Sequence, residues 1–180
     1  MNFINNFDSQ AMLWVQDNIR MPLLSGIFVP LTRLGNAGVL FIAVALILLC
    51  FKKTRTSGVL MLISMAVCYI FNDLIIKRII ERPRPFNSVV GLVPLVSPPK
   101  SFSSPSGHTA SAFAAMVSLF FTKRKFAFAG LVVAFLMGCS RVYVGVHYPT
   151  DVIAGALVGS LTACMVGMLY KNRLRVYKSE

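Results

Sequence analysis

Residues 126–170 read FAFAGLVVAFLMGCSRVYVGVHYPTDVIAGALVGSLTACMVGMLY, two apolar runs joined by a polar corner. The runs, Phe126–Val142 and Pro149–Tyr170, have the length of membrane spans. A helix rises ~1.5 Å per residue, so even the shorter runs of this chain reach on the order of 24 Å against ~30 Å of hydrocarbon. The corner holds Ser140, Arg141, His147 and Asp151. Polar groups gathered where two spans meet sit at headgroup level, where ionisable side chains are tolerated. This stretch predicts an all-α, polytopic membrane helix bundle.

Three further runs extend the pattern upstream: Gly35–Phe51, Ser57–Ile76 and Gly107–Thr122. Five core transmembrane helices are therefore expected, and spans at the short end are accommodated when their polar ends lie at the interface. A mean hydropathy of +0.72 with 13% charged residues agrees, since soluble domains carry roughly a quarter. There is no internal repeat and no low-complexity linker. The expected organisation is an N-terminal interfacial or re-entrant segment over 1–34, a catalytic transmembrane bundle over 35–171, and a basic cytoplasmic tail over 172–180.

Within the N-terminal segment, Asn5–Arg20 mixes Asp8, Gln10, Gln16, Asp17 and Asn18 with Phe7, Met12, Leu13 and Val15. That mixture reads as a helix lying in the interface, anchored by Trp14. Met21–Leu34 is apolar but interrupted by Pro22, Pro30 and Arg33, and too short to span alone. The alternative is a sixth span made of residues 10–32. No basic region precedes a small-residue cleavage site, so a cleaved signal peptide is not expected. Cys50, Cys68, Cys139 and Cys164 lie in or beside spans without paired spacing and read as small apolar residues, not as disulfides or a zinc site. Gly155 and Gly159 form a small-xxx-small pair suited to close helix packing.

The formal net charge is +12, from 18 Lys and Arg. Its distribution matters more than its size. Lys52, Lys53, Arg55, Lys123, Arg124, Lys125, Lys171, Arg173, Arg175 and Lys178 occupy alternate loops and the tail, all on one side. The positive-inside rule makes that side cytoplasmic. No stretch interleaves these cations with aromatics, so nucleic acid is not an expected partner. The other cations, Arg20, Arg33, Lys77, Arg78, Arg82, Arg84, Lys100 and Arg141, fall on the opposite, extracytoplasmic side. Positive charge there runs against the rule, and binding an anion accounts for it.

Three polar stretches carry the chemistry. The first runs from Lys77 to Arg84-Pro85 and closes a span. A flexible point charge and a planar fork can together hold several phosphoryl oxygens. Asp73, four residues before Lys77, can pair with it. The second, Pro105-Ser106-Gly107-His108, runs into an apolar helix. Free N–H groups at a helix start bind anions, Gly107 permits close backbone approach, and His108 is placed to protonate a leaving oxygen. In the third, Pro149 suits the first turn of the last span, with His147 before it and Asp151 inside it. A carboxylate that holds one imidazole nitrogen leaves the other free to attack. Both histidines of the chain thus fall on one face beside several cations.

Lys-x6-Arg-Pro, Pro-Ser-Gly-His and Ser-Arg-x5-His-x3-Asp, in this order, resemble the three signatures of the type 2 phosphatidic acid phosphatase superfamily, which also includes vanadium-dependent haloperoxidases. The resemblance covers roughly residues 35–170 with no departure at a motif position. The small size and five-span core are similar to bacterial members acting on membrane lipids, such as undecaprenyl-diphosphatases and phosphatidylglycerophosphatases. It implies that Lys77, Arg84 and Arg141 clamp a phosphoryl group, helped by Ser106 and the Gly107 amide. His147, oriented by Asp151, would attack phosphorus to form a phosphohistidine, and His108 would protonate the leaving group and then activate water. No metal or other cofactor is implied. The expected partners are the bilayer and a phospholipid or polyprenyl diphosphate, preferably undecaprenyl diphosphate, with phosphatidylglycerophosphate or phosphatidate as alternatives. A transporter would want ionisable residues deep in the membrane, and only Asn72 and Asp73 lie near that depth. An inactive scaffold would keep the same residues.

Overall fold

A computed structural model describes residues 2–177, and every regular element among them is a helix. The order is α1 (Asn2–Asn18), α2 (Pro22–Leu34), α3 (Val39–Cys50), α4 (Arg55–Tyr69), α5 (Lys77–Ile80), α6 (Pro85–Ser88), α7 (Gly107–Ser118), α8 (Arg124–Tyr143) and α9 (Pro149–Tyr177). A π-helical segment, Ile70–Ile76, joins α4 to α5. A 3-10 turn at Asn36–Gly38 joins α2 to α3, and another extends α7 through Phe121.

The centre of the bundle is α7. Ala110, Ala112, Ala114, Ala115 and Met116 are all buried, so this short helix is wrapped by its neighbours. Its small side chains let other helices come close. A Cβ added to Gly155 would run into the Ser106 carbonyl, and one on Gly159 into that of Ala110. The expected packing role of that glycine pair is therefore what the fold uses, α9 against α7. On the other side Phe41, Ala45, Met61, Met65, Met116, Leu119, Ala134 and Met137 join α3, α4, α7 and α8 in one core. Outward faces of α8 and α9 expose Val132, Phe135, Ile153, Leu157 and Leu161, an apolar surface suited to lipid.

Alternating chain direction separates two ends. At one, Ser57 Oγ donates to Thr122 Oγ1 at 2.8 Å and the Lys171 ammonium stands 5.3 Å from the Phe121 ring centre. The basic loops are therefore together there. The three motif segments meet at the other end. The predicted basic tail is helical through Tyr177 as a continuation of α9, while Lys178 and the rest of 178–180 lie outside the described residues.

The N-terminal third is broken in two places. Helix α3 has only 12 residues, about 18 Å of rise, so Gly35–Phe51 is not a self-sufficient span. It reaches membrane length only together with α2, across a bend of 61°. The continuous helix over 10–32 does not form. Helix α1 stops at Asn18, and Pro22 opens α2 in its first turn, a position proline favours because its missing N–H would go unpaired there anyway. The segments running through α4, α8 and α9 are each long and apolar enough to cross a bilayer. Helix α1 lies across the motif end: Met12 packs on Val89, Leu92 and Tyr148, while Phe3, Ile4, Phe7 and Trp14 are exposed.

Candidate active site

A cavity of about 1120 Å³ opens at the motif end. Lys77, Arg84, Gly107, His108, Arg141 and His147 line its polar part, and Ile42, Leu62, Met65, Ala66 and Tyr69 line an apolar part between α3 and α4. Six of the eight residues singled out from sequence thus face one space. Ser106 and Asp151 are buried and do not line it.

Lys77 follows the π-helical segment. Such a segment inserts extra backbone into a helix and re-aims the side chains beyond it. Lys77 Nζ meets Asp73 Oδ1 at 2.5 Å, the pairing expected from their spacing. Asp73 lines the cavity, with its carboxylate 3.0 Å from where a Cβ on Gly107 would stand. Only glycine fits at that position without displacing it.

Arg84 sits in extended backbone between α5 and α6. Its Nε donates to the Ser101 carbonyl at 2.8 Å, Nη2 to Ser101 Oγ at 3.0 Å, and Nη1 to the Val146 carbonyl at 2.9 Å. Nη1 also lies 3.0 Å from His147 Nε2. A guanidinium can only donate, so Nε2 carries the lone pair and the ring proton belongs on Nδ1. That atom faces Asp151 Oδ2 at 3.7 Å, with no other partner. Burial holds the His147 imidazole down at about 3, partly opposed by Asp151, so it is neutral at neutral pH with its lone pair on Nε2. Burial also draws Arg84 down to about 10, which leaves it charged.

Arg141 ends α8, and its Nη1 donates to Thr32 Oγ1. Its buried Nε has no partner among the described residues, so a donor remains for an anion. At the start of α7, Ser106 makes no side-chain cap. Its Oγ instead accepts from Thr109 Oγ1 at 3.0 Å, and its N–H donates to the Asp151 carbonyl at 3.0 Å. Ser106 thus anchors the helix start to α9, while Gly107 and His108 present the first turn to the cavity. His108 Nε2 donates to Asn36 Oδ1 at 3.0 Å. The arrangement brings together three cations, a helix N-terminus and two imidazoles, one of them neutral with its lone pair toward Arg84. That set suits a phosphoryl group.

Several residues escaped the sequence reading. Asp8, fully buried on α1, takes Arg82 Nη2 at 2.7 Å, while Arg82 Nη1 reaches Asp151 Oδ1 at 2.7 Å. Thr150 Oγ1 bonds Asp8, Ser103 Oγ donates to Asp151 Oδ2 at 2.5 Å, and the Tyr148 N–H donates to the same oxygen at 3.0 Å. Arg82 also stacks 4.0 Å from the Tyr148 ring centre. Asp151 is therefore held by an arginine, a hydroxyl and a backbone amide as well as facing His147. A signal for Asp8 existed: it shares a helical stripe with Met12, Val15 and Ile19, and a carboxylate on a buried stripe needs a partner.

A membrane-length helix bundle with a cationic, two-histidine cavity at one end defines a class of phosphate-handling membrane protein. The chain belongs to the PAP2 superfamily, whose model matches residues 57–175. An undecaprenyl-diphosphatase of Sulfolobus acidocaldarius is 39% identical over 76% of this chain and 66% of its own length. Phosphatidylglycerophosphatase B of Bacillus subtilis is 35% identical over 82% of the chain and 76% of its own. Among solved structures, that of a transmembrane PAP2 type phosphatidylglycerolphosphate phosphatase from Bacillus subtilis superposes with a TM-score of 0.78 at 28% identity, covering 96% of this chain and 88% of that one.

Proposed function

We propose that this protein is an integral membrane lipid phosphatase that removes a terminal phosphoryl group from a membrane lipid through a phosphohistidine, with undecaprenyl diphosphate as its substrate. The observation that carries this reading is the two-part cavity, cationic at His147 and apolar between α3 and α4. A phosphoryl group and the start of a lipid chain need those two surfaces side by side. The 39% identical undecaprenyl-diphosphatase supports the choice of lipid. Phosphatidylglycerophosphate is the second reading, favoured by the relative matched over 82% of the chain.

Lys77, Arg84 and Arg141 bind the phosphoryl oxygens together with the Gly107 amide. His147 Nε2 forms a bond to phosphorus as the bond to the leaving oxygen breaks, and Asp151 stabilises the proton on Nδ1. His108 gives its proton to the leaving oxygen. In the second half it takes a proton from water, whose oxygen displaces His147 and yields inorganic phosphate. Fixed cations aimed at the equatorial oxygens stabilise the charge developing there. In this reading the site faces the extracytoplasmic side and the C-terminus the cytoplasm, which the alternating basic loops support.

Phosphate release in detergent from undecaprenyl diphosphate, phosphatidylglycerophosphate and phosphatidate tests the substrate. The expected result is the highest kcat/KM with the diphosphate. A clear preference for phosphatidylglycerophosphate would replace the first reading by the second.

A further inference from the structure

The α2–α3 corner lies outside the part of the chain matched by the PAP2 family model, residues 57–175, yet it touches His108. Three features converge there. Asn36 Oδ1 accepts from His108 Nε2 at 3.0 Å. A Cβ on Gly35 would stand 2.9 Å from His108 Cδ2 and 2.6 Å from Met137 Sδ, so only glycine lets the backbone come this near. Ala37 and Gly38 then turn the chain with φ of 51° and 70°. Left-handed backbone is unfavourable for alanine and persists where surrounding structure enforces it, often at functional sites.

From these contacts we infer that Asn36 is a positioning residue for His108, and that the corner is shaped to deliver it. Nε2 and its neighbour Cδ2 both face the corner, so the Nε2–Cδ2 edge of the ring is turned toward α2–α3. An acceptor on Nε2 fixes the ring plane and leaves Nδ1 to give and take the catalytic proton. It also supports the protonated ring among the cations Lys77, Arg84 and Arg141. The amide of Asn36 does this without adding a negative charge to an anion site. The inference rests on His108 acting on the leaving group, as proposed above.

The test compares kcat/KM on para-nitrophenyl phosphate, whose leaving group needs little acid help, with that on dodecyl phosphate, whose leaving group needs it. His108→Ala sets the reference pattern. Asn36→Leu, similar in size without an acceptor, should cost on the order of 10²-fold on the alkyl ester and less than about tenfold on the aryl ester, as misplacement of a catalytic group does. Asn36→Asp keeps an acceptor but adds negative charge to the anion site, so it should recover only part of that loss, again more on the alkyl ester than on the aryl ester. In the His108→Ala background, Asn36→Leu should cost no more than about threefold further, because residues acting through one another are not additive. Gly35→Ala provides a second variant that keeps Asn36. Its methyl meets the flexible end of Met137 and the His108 ring, so it should fold and show the same selectivity more weakly.

Equal losses on both esters for Asn36→Leu and Gly35→Ala, or full additivity with His108→Ala, would overturn the inference and leave the acid assignment standing. Equal losses for His108→Ala itself would remove the acid assignment, and this inference with it.

Discussion

The contact between Arg84 Nη1 and His147 Nε2, at 3.0 Å, sets the chemistry at the scale of single residues. A phosphoryl oxygen that drew this donor away would free the lone pair it engages. Three more of the five Arg84 N–H groups are tied to Ser101 and the Val146 carbonyl, a fork that lysine cannot reproduce. Arg84→Lys should therefore lower kcat on the order of 10²–10³-fold despite keeping the charge, the scale for one preorganised donor. Retention within about threefold would make Arg84 a mere counter-ion. Asp151→Asn should fall between wild type and His147→Ala in single-turnover rate, because it removes charge from the imidazole without removing the nucleophile. Much of this was legible in the sequence. Lys77, Arg84, Gly107, His108, Arg141 and His147 do share one cavity. Ser106 was harder: its neighbours Ser101, Ser103 and Ser104 are chemically alike, and only folding decides which hydroxyl meets Thr109, Asp151 or Arg84.

At the scale of elements, the N-terminal helix is more than a surface float. Asp8 is buried against Arg82 and Thr150, and Arg82 continues to Asp151. Asp8→Ala should destabilise the protein by about 1–3 kcal/mol, the cost of leaving buried polar partners unsatisfied. It should also slow turnover, since Arg82 would then pull on Asp151 alone. Thermal unfolding with kcat on the same sample checks this, and unchanged values for both would return α1 to a purely interfacial role. The α7–α9 contact gives a second handle. Gly159→Leu would drive a side chain into the Ala110 carbonyl, and overpacking of this kind costs about 1–3 kcal/mol or more. The spans were readable because their apolar runs are long. The α2–α3 bend and the π-helical segment were not: polar residues mark both, Asn36 at the bend and Asn72-Asp73 in the π segment, but hydropathy alone does not say how the backbone turns there.

At the scale of the whole molecule, the basic loops gather at one end and the cavity opens at the other. The positive-inside rule then predicts a cytoplasmic C-terminus and an extracytoplasmic site. A C-terminal alkaline phosphatase fusion should be inactive and a green fluorescent protein fusion bright; the reverse pattern would invert the molecule. On the proposed assignment of charge stabilisation to Lys77, Arg84 and Arg141, turnover should also persist in chelator and fall with vanadate, a phosphate-shaped anion. Activity lost to chelator and restored by magnesium would contradict that assignment. The central claim is covalent chemistry at His147 Nε2, and rapid acid-free quenching with substrate labelled in its terminal phosphate tests it most directly. The account predicts a base-stable, acid-labile label on His147 in the wild type, absent from His147→Ala. A label that survives in His147→Ala would contradict it.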